Sequence, residues 1–367
     1  MMKDSTTRVM RVCDVESPGG RAAIHEAAAV IRAGGLVAFP TETVYGLGAN
    51  ALDARAVGRI FAAKQRPLND PLIVHIADLG DLSSLTDVRD PVPLITALTR
   101  AFWPGPLTLV LPRSQRVPPI VSAGRDTVAV RMPDHAVAQA LIRASGTPIA
   151  APSANRFGHV SPTTAQHVLD DLNGRIDLVL DGGATSIGVE STVLDLTTDP
   201  PRILRPGGAT RERIEAVLLE HGKQLSDEMS SGSHFAAHLS WASAPLPSPG
   251  MLPWHYAPRA KVVLCRDVGD LLSRRAELAA QGLKAGLLIL ESQREACGNL
   301  HPQFVLGEAP GDVARNLYAG LRALDGAGVD VILTTGVPRV GLGEAIADRL
   351  ARAAAKASHE RPHGDHD

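Results

Sequence analysis

Cysteine is scarce in this chain of 367 residues. Cys13, Cys265 and Cys297 lie far apart, an odd number without C-x-x-C spacing. That argues against a disulfide framework and against a thiolate metal site, and predicts reduced, structural thiols. No uncharged apolar run approaches the roughly 18 residues that span a bilayer, and the opening M-M-K-D-S-T-T-R-V-M-R-V lacks the apolar stretch of a signal peptide. These absences predict a soluble, cytoplasmic protein with no membrane partner. A cation excess is missing as well: residues 1 to 221 hold 22 Lys and Arg against 23 Asp and Glu, and the remainder holds 15 against 16. A protein that grips a polyphosphate backbone usually carries such an excess, so no stable nucleic-acid binding is expected and any basic site is local. There is no G-x-x-x-x-G-K-[ST], which rules out a P-loop, and Gly341-Leu342-Gly343 lacks the third small residue of a dinucleotide fingerprint. His359-Glu360-Arg361-Pro362-His363 matches H-E-x-x-H formally, but Pro362 would remove an N–H from the helical turn that a zinc site needs. No protein metal site is expected.

The length and the 44% hydrophobic, 21% charged composition are those of a folded protein of two domains. From residue 21 helical and strand periods alternate. Helices are expected over 53–65, 92–103, 134–145 and 163–173, strands over L-V-A-F-P, 71–76, P-L-T-L-V-L and T-V-A-V-R-M, then three more strands and a closing helix before Gly222. The late strands follow one another without helices, so residues 1–221 should form a mixed α+β sheet, not a regular doubly wound one. Residues 222–258 hold seven Ser, five Pro and three charged side chains, the composition of a linker. Phe235, Trp241, Trp254 and Tyr256 place four of the chain's twelve Phe, Trp and Tyr residues there, so part of it should pack on something. Residues 259–357 return to alternating strands and helices, including helices over 312–327 and 344–355, as a small parallel α/β domain; 358–367 is a polar tail.

Polar groups accumulate where strands end. Pro40-Thr41-Glu42-Thr43-Val44-Tyr45-Gly46-Leu47-Gly48 leaves a buried strand, rich in hydroxyls and glycine, and reads as a strand-to-helix turn or a ligand loop. Lys64 is one of only two lysines in residues 1–221 and sits with Arg66 at a helix C-terminus, where cations also offset the helix dipole without any function. His75, Arg131, Pro152-Ser153-Ala154-Asn155, Ser191-Thr192 and Arg205-Pro206-Gly207-Gly208 follow other strands. Gathered on one rim of a sheet, they would line a basic cleft suited to a small anion. There is no Ser-His-Asp order, no Cys nucleophile beside a His and no carboxylate pair, so the expected chemistry is positioning and charge stabilisation, as in phosphoryl or nucleotidyl transfer.

The ordered run P-T-E-T-V-Y-G-L-G, K-Q-R-P, P-L-I-V-H, T-V-A-V-R-M-P, A-P-S-A-N, S-T-V-L-D and L-R-P-G closely resembles the threonylcarbamoyl-AMP synthase family over residues 20 to 220. S-P-G-M-L-P-W-H-Y-A-P, N-L-Y-A-G-L-R-A-L-D and G-L-G-E-A-I-A-D-R-L resemble its two-domain members, although Leu252-Pro253-Trp254 stands where many carry a more polar stretch. The resemblance implies a YrdC-like open twisted sheet domain followed by a smaller Rossmann-like parallel α/β domain. It also implies a nucleotidyltransferase that condenses L-threonine, bicarbonate or CO2, and ATP to threonylcarbamoyl-AMP and pyrophosphate, with Mg²⁺ accompanying ATP and downstream proteins transferring the group to tRNA. By the same resemblance Thr43, His75, Arg131, Ala151 and Ser191 surround threonine, Arg131 meeting its carboxylate as a planar fork. Arg66, Asp70, Thr127, Ser153, Ser161 and Arg205 hold ATP, and Lys64, Arg66 and Asn155 act on the reacting phosphate and carbamate. Tyr256, with Trp254 and His255, reaches the nucleotide from a linker that closes over the site. The alternative is an RNA-binding module without catalysis of its own.

Overall fold

The computed structural model describes residues 6–88, 92–226, 245–248, 250 and 256–359. Most of the linker, with Phe235, Trp241, Trp254 and His255, lies outside them, as does the tail from residue 360. The chain divides into two units: Met1–Phe157 with Ser161–Met251, and Gly158–Val160 with Leu252–Asp367. Among the described residues no helix is long and apolar enough to cross a membrane. Cys13 is exposed, Cys265 and Cys297 are buried, and all three are free thiols.

In the first unit the strands are β1 (Arg8–Arg11), β2 (Val37–Phe39), β3 (Gly46–Asn50), β4 (Ile73–His75), β5 (Leu107–Pro112), β6 (Thr127–Arg131), β7 (Ile149–Ala150), β8 (Leu178–Asp181), β9 (Thr192–Asp195) and β10 (Arg202–Arg205). They form one sheet in the order β1-β8-β2-β3-β7-β4-β6-β5-β9-β10. β4 and β6 run parallel, as do β5 and β9, while β3–β7, β7–β4, β6–β5 and β9–β10 are antiparallel. This is the mixed sheet expected from strands that follow one another without helices.

Residue parity sorts the sheet into two faces. Leu36, Ala38, Val74, Leu109, Val128, Val130 and Val179 belong to one large apolar cluster, packed with the helix Ala54–Lys64. Val37, Phe39, Ile149 and Leu178 pack on the other face with the helices Pro18–Arg32 and Ala136–Ser145. Further along that second face the apolar filling shrinks to Ile73, Val110, Ala129, Val193 and Leu204. Little hydrocarbon covers the sheet there, which leaves room for polar side chains.

The expected helices over 53–65, 92–103 and 134–145 appear as Ala54–Lys64, Pro93–Phe102 and Ala136–Ser145. The expected strand-to-helix turn at 40–48 is instead a hairpin, with β3 antiparallel to β2 in the register Phe39–Gly46 and Val37–Gly48. Glycine hides that strand from propensity, but it is required: a Cβ on Gly48 would stand 2.7 Å from the Phe39 ring and 2.8 Å from Ile149.

The second unit carries β11 (Lys261–Cys265), β12 (Ala285–Ile289), β13 (Gln303–Val305) and β14 (Val331–Thr335), all parallel in the order β11-β14-β12-β13. The helices Val268–Ala280, Pro310–Gly326 and Leu342–His359 pack against it. Buried runs such as A-G-L-L-I suit a sheet covered on both sides.

Candidate active site

The first unit's sheet gathers the polar residues on a face, not along one rim. Because β7 runs antiparallel to β4, Ser153 and Asn155 leave β7 beside the start of β4, whereas His75 and Arg131 end β4 and β6. Strand ends share one rim only where strands run parallel, and this sheet is mixed. Thr127 and Arg131 share the parity of Ala129, His75 that of Ile73, and Ser191 that of Val193, while Arg205 pairs with Val193 and His75 with Ile149. All of them, with Ala151, therefore lie on the side with the small apolar cluster.

One group is cationic. Asp53 caps the helix Ala54–Lys64, its Oδ1 accepting from the backbone N–H groups of Arg55 and Ala56, and Gln65 ends it in the left-handed region at φ 56°. The last helical residue, Lys64, is buried to 1% exposure, and its Nζ donates to the carbonyls of Ser153, at 2.6 Å, and Asn155. Phe157 N–H donates back to the Lys64 carbonyl, so residues 153–157 wrap the helix end. Arg66 Nη2 meets Asp70 Oδ1 at 2.8 Å, and the same guanidinium donates to the carbonyls of Asp70 and Pro71. Arg205 donates to the Ser191 carbonyl through Nε and Nη2 and to Ser191 Oγ at 3.3 Å. Burial, and then the neighbouring Arg66, hold the Lys64 ammonium well below the usual lysine range. Burial raises Asp70, against the opposing pull of Arg66, Lys64 and Arg205. Three cations thus share the field of Asp70, and Asp171 also acts on Lys64. Ser161 donates to a further buried acid, Glu190, at 2.6 Å. Thr127 is half-buried at the start of β6, beside the start of β4 that follows Asp70 and Pro71.

The other group has no net charge. Arg131 Nη2 meets Glu42 Oε1 at 2.6 Å, both side chains almost fully buried, and Arg131 Nε donates to the Gly105 carbonyl. His75 stands opposite Arg131 in the β4–β6 register, edge-on to Phe39. Burial, and then Arg131, push its pKa down to about 3, so the imidazole is neutral. Thr43 is fully buried and its hydroxyl lies 2.8 Å from that of Thr41. Ser191 Oγ lies 2.8 Å from Thr108 Oγ1.

Residue patterns alone missed Glu42, Glu190 and Thr108. The signal for Glu42 was present: a single carboxylate among hydroxyls directly after a buried strand. Tyr256 belongs to the second unit, where its ring stacks on Tyr318 at 5.9 Å and carries the Arg349 guanidinium over its face.

Residues 29–207 match a family model described as "Telomere recombination", covering the Sua5, YciO and YrdC proteins, and residues 209–355 match "Threonylcarbamoyl-AMP synthase, C-terminal domain". The threonylcarbamoyl-AMP synthase of Pyrococcus abyssi is 46% identical over 90% of this chain and 93% of its own length. The chain belongs to the threonylcarbamoyl-AMP synthase family. A second synthase, from Bacillus subtilis, is also 46% identical, over 90% of this chain and 92% of its own. The crystal structure of the P. abyssi synthase, Sua5, complexed with L-threonine superposes with a TM-score of 0.84 at 44% identity, covering 95% of this chain and 98% of that one. As a member of the synthase family the chain is a transferase, making an adenylate, and it has the family's two-domain α/β architecture.

Proposed function

We propose that the chain condenses L-threonine, bicarbonate and ATP to threonylcarbamoyl-AMP and pyrophosphate. The observation that carries this reading is that the first unit holds two buried charged groups, the cations Lys64, Arg66 and Arg205 around Asp70, and the charge-balanced Arg131–Glu42 pair beside His75. The first suits a polyphosphate and the second a neutral amino acid. The relative solved with L-threonine supports the assignment of the amino acid.

In this reading the ammonium of threonine and bicarbonate give a carbamate, water and a proton. A carbamate oxygen then attacks the α-phosphorus of ATP, and pyrophosphate leaves. No protein nucleophile is needed. Lys64 and Arg66, with Arg205, stabilise the charge that gathers on the phosphate oxygens and leaving group, worth about 10²–10³ in rate for one well-placed donor. Asn155, whose carbonyl already receives Lys64, stands beside the reacting atoms with Ser153. Thr127 and Ser161 orient the nucleotide. Thr43, His75, Ala151 and Ser191 shape the amino-acid pocket, and the neutral His75 offers a hydrogen bond there without a charge.

Mg²⁺ enters with ATP as part of the substrate. Among the described residues no group of three His, Cys, Asp or Glu forms a metal cluster, and Asp70 is held by Arg66. These residues fit an ion carried on phosphate oxygens better than a resident one. The product is a reactive mixed anhydride, consumed by proteins that pass the threonylcarbamoyl group to tRNA; a role for Tyr256 at the nucleotide belongs to the same proposal.

The test is an omission series. Pyrophosphate release should require threonine, bicarbonate and ATP together. Release that is indifferent to threonine, or production of ADP in place of pyrophosphate, would overturn the reading.

A further inference from the structure

The Arg131–Glu42 pair is buried on both sides, with side chains 4% and 5% exposed. Removing two charges from water is costly, and an apolar pair of similar volume would often serve stability equally well. Stability alone therefore does not account for it. The pair is also held from outside itself. Arg131 Nε is fixed to the Gly105 carbonyl, and the backbone of Glu42 is pinned by Ile187 N–H, which donates to the Glu42 carbonyl at 2.7 Å. On either side Thr41 Oγ1 accepts from the N–H groups of Thr43 and Val44, and Gly188 N–H donates to the Thr43 carbonyl. A guanidinium and a carboxylate are thus presented side by side at a set spacing.

An α-amino acid at neutral pH is the mirror of this arrangement, an α-carboxylate and an α-ammonium on one carbon. We propose that Glu42 is a specificity-determining residue, which receives the α-ammonium of the incoming amino acid while Arg131 receives its α-carboxylate. The inference rests on the threonine reading given above and adds a partner for the amino group. Glu42 balances Arg131 in the free protein, and the arriving zwitterion changes no net charge in the pocket. Of the other ionisable groups nearby, His75 is neutral and flanks Arg131, and His135, half-buried, lies within electrostatic reach of Glu42. The role concerns capture of the zwitterion, before the ammonium loses its proton to carbamate formation.

Calorimetric titration tests it. Wild-type protein should bind L-threonine at least ten-fold more tightly than 3-hydroxybutanoate, which keeps the carboxylate and hydroxyl but lacks the amine. Glu42→Gln, which keeps the shape and an oxygen beside Arg131, should weaken threonine by about ten- to hundred-fold, the value of a charged hydrogen bond. It should not weaken 3-hydroxybutanoate, whose carboxylate would meet an Arg131 no longer balanced by Glu42, and should leave a non-hydrolysable ATP analogue unchanged. Equal wild-type affinity for the two acids would overturn the proposal without any variant. Equal weakening of both by Glu42→Gln would overturn it too, because Glu42 would then serve only to hold Arg131. Failure of threonine to bind wild-type protein at all would instead sink the substrate reading, and this inference with it.

Discussion

Replacing Lys64 by methionine removes the ammonium and keeps most of the stem. Two effects on stability oppose each other. The carbonyls of Ser153 and Asn155 lose their donor, at a cost of about 1–3 kcal/mol each. Relief from burying an ammonium contributes several kcal/mol in the other direction. At neutral pH the variant should therefore melt close to wild type, within about 2 kcal/mol. Catalysis has no such offset, and pyrophosphate release should fall by about 10²–10³-fold. The pH dependence gives a second readout. Burial lowers the Lys64 pKa in the folded protein, so between that lowered value and the ordinary lysine value of 10.5 the unfolded chain binds the extra proton. Stability then rises with pH through this window, and the penalty is gone above it. Denaturant titrations from neutral pH upward should show wild type gaining on Lys64→Met as pH approaches 10.5. Pyrophosphate release within ten-fold of wild type would refute the catalytic role, and a stability difference that ignores pH would refute the electrostatic argument.

Arg66→Ala should cost about 3–5 kcal/mol, because it leaves Asp70 buried without its partner; adding Asp70→Ala should recover part of the stability in thermal melts and none of the activity. Gly207→Ala should destabilise by at least about 1–3 kcal/mol, since its Cβ would stand 2.3 Å from the Glu190 carbonyl oxygen and the Ser191 carbonyl carbon, and should lower affinity for an ATP analogue by displacing Arg205. Serine should be a poor substrate and 2-aminobutyrate poorer, because a site that hydrogen-bonds the threonine hydroxyl leaves a buried partner unpaired when it is absent; comparison of kcat/KM for the two checks the order.

Much of the fold was legible because apolar periodicity survives wherever an element is both regular and covered. Ala54–Lys64 and the parallel strands of the second unit were readable on that ground. β3 was not, because Gly46 and Gly48 carry no strand propensity and matter only through what approaches them in space. The site residues followed from strand ends and family motifs, but their arrangement did not. T-V-A-V-R already alternates in a way that puts Thr127, Ala129 and Arg131 on one face, yet strand direction, which decides between a rim and a face, is fixed by long-range pairing. Glu42 escaped for a related reason: its meaning lies in Arg131, 89 positions later in the chain. Lys64 read as a cation at a helix C-terminus; its burial comes from residues 153–157 folding back over the helix end.

The central claim is that carbon from bicarbonate joins the threonine amine to AMP on this chain. Incubation with ¹³C-bicarbonate, L-threonine and ATP, followed by mass spectrometry of the adenylate, tests it directly. The account predicts a threonylcarbamoyl-AMP one mass unit heavier than with unlabelled bicarbonate, formed in equal amount to pyrophosphate. An unlabelled threonyl-AMP, or pyrophosphate without any labelled adenylate, would contradict it.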